Sequence, residues 1–201
     1  MKNIIFKILP IILLAMTACS SNNDTPQDQL PPATTTGANT GGCYINGELL
    51  TPKDNIANIG SPTSFGLQRY NGVNFGSTNG DDYYAVQITN RKDAGGDYIY
   101  IHIPSLINGI GDYPIEQSNG QLFIDGPNNA HVIVQTFDGV NLGKVYYSGA
   151  NAGIVTITRF DFPRRIISGV FDLTVYNVEN PSETIEITQG RFDINGFTIN
   201  Q

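Results

Sequence analysis

The chain contains no tryptophan and only two histidines, two cysteines and two methionines, and its 201 residues include 11 lysines and arginines against 18 aspartates and glutamates. Each scarcity removes a class of function. His102 and His131 are the only imidazoles, and neither lies beside a Gly-x-Ser-x-Gly elbow or a cysteine in a protease setting, so a nucleophile–base triad is not expected. No His/Cys cluster has zinc spacing, and no glycine-rich phosphate loop stands between a strand and a helix. Without tryptophan the usual platform for stacking sugars is missing. The excess of acidic over basic residues argues against nucleic acid, because phosphate binding needs clustered Lys and Arg. The longest apolar stretch, Ile8–Ala18, is far shorter than the roughly 20 residues that cross a bilayer as a helix.

What is present begins at the N-terminus. Lys2 and Lys7 precede the apolar run, which makes residues 1–18 a cleavable export signal rather than a membrane anchor. The run ends in Met16-Thr17-Ala18-Cys19, which resembles the lipobox of bacterial lipoproteins, with Met16 where Leu is usual. The resemblance implies that the Cys19 thiol is acylated and that Cys19 becomes the first residue of the mature chain. One fatty chain holds a protein only marginally, whereas two or three hold it firmly. Ser20 replaces the aspartate that retains some lipoproteins at the inner membrane, which implies the outer membrane. Losing Lys2 and Lys7 from the 11 basic residues, against 18 acidic ones, leaves the mature chain a formal charge of −9. Once Cys19 is acylated only Cys43 remains, so no intramolecular disulfide forms and the core alone must hold the domain.

From Ser20 to Gly42 the only large apolar residue is Leu30, among Ser, Thr, Asn, Gln, Pro and Gly. Together with the lipidated cysteine, residues 19–42 are expected to form a flexible tether of about 25 Å root-mean-square span. Residues 43–201 are enough for one core and few for two, so one domain is expected. Apolar residues there never keep helical spacing for three turns, while β-branched and aromatic runs alternate and are broken by Asn-Gly, Asp-Gly and Gly-Gly. The expectation is an all-β domain, either a β-sandwich or an open barrel-like sheet. The strands are expected at Cys43–Asn46, Phe65–Tyr70, Val73–Gly76, Tyr83–Thr89, Tyr98–Ile103, Gln121–Ile124, His131–Phe137, Lys144–Ser148, Gly153–Phe160, Ile166–Tyr176 and Thr184–Ile194. One short helical turn is expected at Lys53–Ile59.

Alternation assigns the faces. Ile99, Ile101 and Ile103 share one side of their strand and should be core, with Tyr98, Tyr100 and His102 opposite. In the last strand Ile185 and Ile187 have one parity and Phe192 and Ile194 the other. An extra residue must absorb the switch, which predicts a β-bulge around Gln189-Gly190.

Gly153–Thr158, Ile167–Phe171 and Ile187–Asp193 follow the patterns G-x-V-x-I-T, I-S-G-x-F and I-T-x-G-x-F-D. In this order they resemble the C-terminal part of a group of Bacteroidetes lipoproteins of unknown function. Tyr44-Ile45-Asn46-Gly47 corresponds to the early hairpin of that group, without its aromatic Trp. The resemblance implies a cell-envelope location and a β-sandwich, and brings no catalytic or binding residues with it.

Two candidate sites follow from the residues. If the sheet is bare on the side of Tyr98, Tyr100 and His102, these rings and the neighbouring Tyr83 form a row spaced about 7 Å apart, suited to a glycan chain or a partner strand of an envelope protein. If a second layer covers them, the same rings close a core. Asp81, Asp82, Asp93 and Asp97 stand in two loops rich in Asn, Asp and Gly, the oxygen chemistry that calcium takes. Turn formation alone accounts for the same residues, so no cofactor is expected beyond a structural calcium ion. The function these observations favour is a non-catalytic module displayed from the outer membrane for adhesion, binding or structure. The alternative is a glycan-active enzyme or accessory carbohydrate-binding domain, whose carboxylates would have to converge across a cleft at roughly 5–10 Å.

Overall fold

The computed structural model describes residues 29–53, 67–72, 83–90, 97–104, 109–137 and 142–199. The signal segment, Cys19, Val73–Gly76, Asp81, Asp82, Asp93 and nearly all of the expected helical turn at Lys53–Ile59 lie outside these residues.

The two longest alternating runs form the spine. They are β9, Ile166–Asn177, and β10, Thr184–Asn195, paired antiparallel from Ile166↔Asn195 to Tyr176↔Thr184. The remaining strands are β1 (Thr40–Ile45), β2 (Glu48–Leu50), β3 (Leu67–Gly72), β4 (Tyr83–Thr89), β5 (Tyr98–Pro104), β6 (Gly111–Ile115), β7 (His131–Phe137) and β8 (Leu142–Asp161). They join one antiparallel sheet in the order β2-β1-β10-β9-β8-β7-β5-β4-β3, with β6 beside β8. The sheet is curled into a half-barrel, so of the two expected all-β forms the open barrel-like one is found.

The curl lets one sheet enclose its own core. Ile99, Ile101, Ile103, Val155, Phe171 and Ile187 are fully or almost fully buried in the concave face, as alternation requires. Each such side chain contributes roughly 1.5–3 kcal/mol on removal from water. The segment after β2 meets the end of β4, where the Lys53 amide donates to the Thr89 carbonyl at 3.1 Å. From β3, Arg69 donates to the carbonyl of Arg165 in the β8–β9 turn at 3.3 Å.

The expected bulge is present, with the register shifting between Ile187 and Gly190. The residue in the left-handed region is Gln189 (φ 53), not the glycine. Gly190 serves another need: a β-carbon there would stand 2.3 Å from Cε2 of Phe171, whose ring lies across its backbone.

Three sequence expectations are corrected. Lys144–Ser148 and Gly153–Phe160 are one strand, β8, because Gly149–Ala152 forms an irregularity within the ladder rather than a turn out of it. The first half of β8 pairs with β7 and the second with β6. Gln121–Ile124 is not a strand; a 3₁₀ turn at Phe123–Asp125 takes its place. Two short strands, β2 and β6, were not expected, and β6 tolerates Pro114 because its pairing is to β8 alone.

Candidate functional site

The outer face of β4, β5 and β7 carries the aromatic row, and it is covered. Residues 116–130 fold back over it and bring Leu122 and Phe123 onto Ala85, Tyr100 and Ile133, making a second small apolar cluster. Tyr100 is 1 % exposed. Its hydroxyl oxygen accepts a hydrogen bond from the Phe123 amide at 3.0 Å, and its ring meets that of Phe123 edge-on at 5.7 Å. Tyr98 is half-buried beside Tyr147, and burial pushes its phenol up, with Tyr147 adding to the effect. The row proposed as a binding face is therefore an interior layer.

His102 is fully buried in the middle of a stack of rings. Tyr83, itself buried, lies 5.3 Å away on one side and His131 lies 4.6 Å away on the other. Neither ring nitrogen of His102 has a hydrogen-bond partner among the described residues, and the same holds for Nε2 of His131. Nδ1 of His131 sits 3.1 Å from the Asn129 carbonyl. Burial, reinforced by the neighbouring His131, holds His102 down to about 3. Burial lowers His131 as well, partly offset by the carbonyls of Asn129 and Gln121. Both imidazoles are neutral at ordinary pH.

Of the calcium candidates, only Asp97 is described. Its Oδ1 accepts the Phe137 amide at 2.8 Å and so caps the end of β7. Burial pushes its carboxyl up, against the lowering effect of that bond, with Glu48 adding to the rise. Among the described residues no three His, Cys, Asp or Glu side chains gather into a metal-binding group. Cys43 is buried in the first strand, and burial, followed by the nearby Asp97, pushes its thiol up to about 12.

The richest polar constellation is one that local sequence patterns do not reveal. Asp193 in β10 is 1 % exposed and accepts five hydrogen bonds. Ser168 Oγ (2.6 Å) and the Gly37 amide (2.8 Å) bond Oδ1. Thr34 Oγ1 (2.7 Å) and the amides of Thr36 and Ala38 (both 3.0 Å) bond Oδ2. Burial raises this carboxyl, but the hydroxyls of Ser168 and Thr34 and the amides of Ala38 and Gly37 outweigh it and hold it at about 2. Gly37 is required by its φ of +80° and by Asn195, whose Cβ would lie 2.9 Å from an added β-carbon.

The same segment is held at further points. Arg159 donates to the Thr35 carbonyl, Arg191 to the Pro31 carbonyl, and Asn39 bonds both the Asn195 amide and the Thr198 hydroxyl. Residues 31–39, expected to belong to a flexible tether, are thus a strap fixed on the outside of β8, β9 and β10, and β1 begins at Thr40 rather than Cys43. Thr and Gly read as linker because they bring no apolar surface, yet their amides converge on a carboxylate.

An open depression of about 390 Å³ lies between the end of β5 and β6, lined by Pro104, Ile110, Gly111, Asp112, Tyr113, Pro114 and Ala130. Its carboxylate, Asp112, accepts the Thr156 hydroxyl at 2.6 Å. The chain matches no protein-family model, no curated protein and no solved structure.

Proposed function

We propose that the chain is an outer-membrane lipoprotein, held by an acylated Cys19, whose half-barrel serves as a non-catalytic structural or binding module. The observation that carries this reading is the order of residues at the N-terminus: Lys2 and Lys7, an apolar run, and Met16-Thr17-Ala18-Cys19. The Asp193 strap suits such a role. It fixes the chain to the sheet from Pro31 onward, so a pull on the anchor is delivered to β10 and β9 in the middle of the sheet rather than to an edge strand.

The test is metabolic labelling with a clickable fatty acid in a Gram-negative host. The parent chain takes up label and fractionates with outer membrane, and Cys19→Ala takes up none. Equal labelling of the two chains would overturn the proposal.

A further inference from the structure

One end of the half-barrel differs from the rest of the surface. There the β8–β9 hairpin turns through Phe162-Pro163-Arg164-Arg165, and the turn after β10 lies against it, with the Gly196 amide donating to the Arg165 carbonyl at 2.8 Å. Phe162 is 55 % and Phe197 52 % exposed, and the Arg165 guanidinium stands 4.8 Å over the Phe197 ring. Ile110, 66 % exposed, precedes β6 at the same end, because Gly111 pairs with Ile157 near the close of β8. Half of the six exposed large apolar side chains among the described residues therefore gather here.

Cations gather with them. Arg164 is 73 % exposed at the tip beside Arg165, and Arg159 and Arg69 lie directly behind. Asp161 accepts both Arg159 and Arg164, Asp193 is enclosed by the strap, and Asp112, near Ile110, accepts the Thr156 hydroxyl, so among the described residues four guanidinium groups outnumber the three carboxylates at this end and stand there with the phenyl rings. This is the combination that enters the boundary of an anionic bilayer, where rings bury among acyl chains and arginines keep their charge at the phosphates. The mature chain is otherwise acidic, with a formal charge of −9, so an anionic surface repels other orientations.

We propose that this end of the half-barrel docks on an anionic lipid surface and sets the orientation of the domain on its membrane. The docking rests on the lipoprotein reading for its proximity. The strap supplies the reach. Leu30 packs against Gly42, whose partner Arg191 is four residues short of Asn195 along β10, a distance of about 14 Å. The eleven residues from Cys19 to Leu30 can extend about 36–40 Å, so anchor and tip can touch one bilayer together.

The chain has no tryptophan, so Phe162→Trp places a single emitter at the tip and Val178→Trp one at the opposite end, beyond β9. Both positions are exposed, and neither change disturbs the core. In vesicles of anionic lipid with brominated acyl chains, the acylated F162W chain should shift to the blue and lose most of its emission to the bromine. V178W should keep the spectrum of a ring in water. Absence of quenching at F162W, or equal quenching at both positions, would overturn the proposal.

A second arm removes the anchor. The mature chain from Ser20, which keeps all ten described strands and the strap, should bind the same vesicles weakly. R164Q/R165Q should reduce that binding about thirtyfold, from about 1 kcal/mol for each cation near an anionic surface. Equal binding to zwitterionic vesicles would also overturn it. A chain that takes no fatty acid yet binds in this way refutes the anchor and keeps the tip, while an acylated chain whose F162W stays in water does the reverse.

Discussion

Ser168 and Asp193 face each other across β9 and β10, and the serine hydroxyl donates to the aspartate at 2.6 Å beneath the backbone of residues 34–38. The pair lies on the outer side of the sheet, opposite the Ile167 and Phe192 that fill the core. A carboxylate in that position gathers three consecutive amides of a stretch more than 150 residues away. It turns a sequence with almost no apolar surface into part of the fold.

Replacing Asp193 with Ala should free the strap and leave buried donors unpaired, for a loss of about 3 kcal/mol. Residues 31–39 should then become open to proteases under conditions in which the parent resists. The carboxyl is held at about 2, below its unfolded value of about 3.9. Its stabilisation is therefore complete above pH 4 and lost as pH falls from there towards 2. Urea midpoints for parent and D193A should differ at neutral pH and converge in that acid range.

Legibility in the sequence follows the range of the contacts. β4 and β7 begin and end where alternation places them, and β5, β9 and β10 extend by one residue, because a period of two over seven or more residues is a local signal. The bulge at Gln189 is equally local, being a parity switch within one strand. The three-residue β2 and the proline-containing β6 carry no such period and leave no signal of that kind in the sequence. Alternation also places Tyr98, Tyr100 and His102 on one face, but whether that face is bare depends on residues 116–130. There Gln121–Ile124 has the composition of a strand and the backbone of a loop. The strap was invisible because its partner is a single aspartate in the last strand.

Tyr100→Ala should destabilise the domain by about 3–5 kcal/mol, as expected for emptying a well-packed aromatic site. Tyr100→Phe keeps the ring against Phe123 and takes from the Phe123 amide its hydroxyl acceptor, for a loss of about 1 kcal/mol. Thermal melts of the two variants separate the packing of the ring from its hydrogen bond. A Y100A melt matching the parent would show that residues 116–130 do not cover the row.

Cys43 should be inert in the folded chain. Its thiol is buried and pushed up to about 12, so the nucleophilic thiolate is almost absent at pH 8. Iodoacetamide should modify it only at the rate of unfolding, reported by mass spectrometry across a urea series. Rapid labelling in native buffer would show that β1 opens independently of the sheet.

The stacked imidazoles make stability depend on pH in a window of their own. Both are lowered by burial in the folded state, whereas an unfolded histidine titrates near 6.5. Their contribution is complete above about pH 6.5 and declines below it, because the unfolded chain takes up protons that the folded chain refuses. With His102 held at about 3, that residue alone should withdraw about 2 kcal/mol between pH 6.5 and 4.5. Asp193 does not titrate in this interval, and Asp97, whose carboxyl burial raises, acts in the opposite sense by favouring the fold as it protonates. His102→Phe retains a ring between Tyr83 and His131 and should flatten the profile while leaving the neutral-pH melt close to that of the parent. Hydrogen exchange at pH 5 should show the amides of residues 121–126 opening before those of β9 and β10, since these residues cover the pair. A parent profile that stays level from pH 7 to 4.5 would mean that the two imidazoles reach water without the domain unfolding.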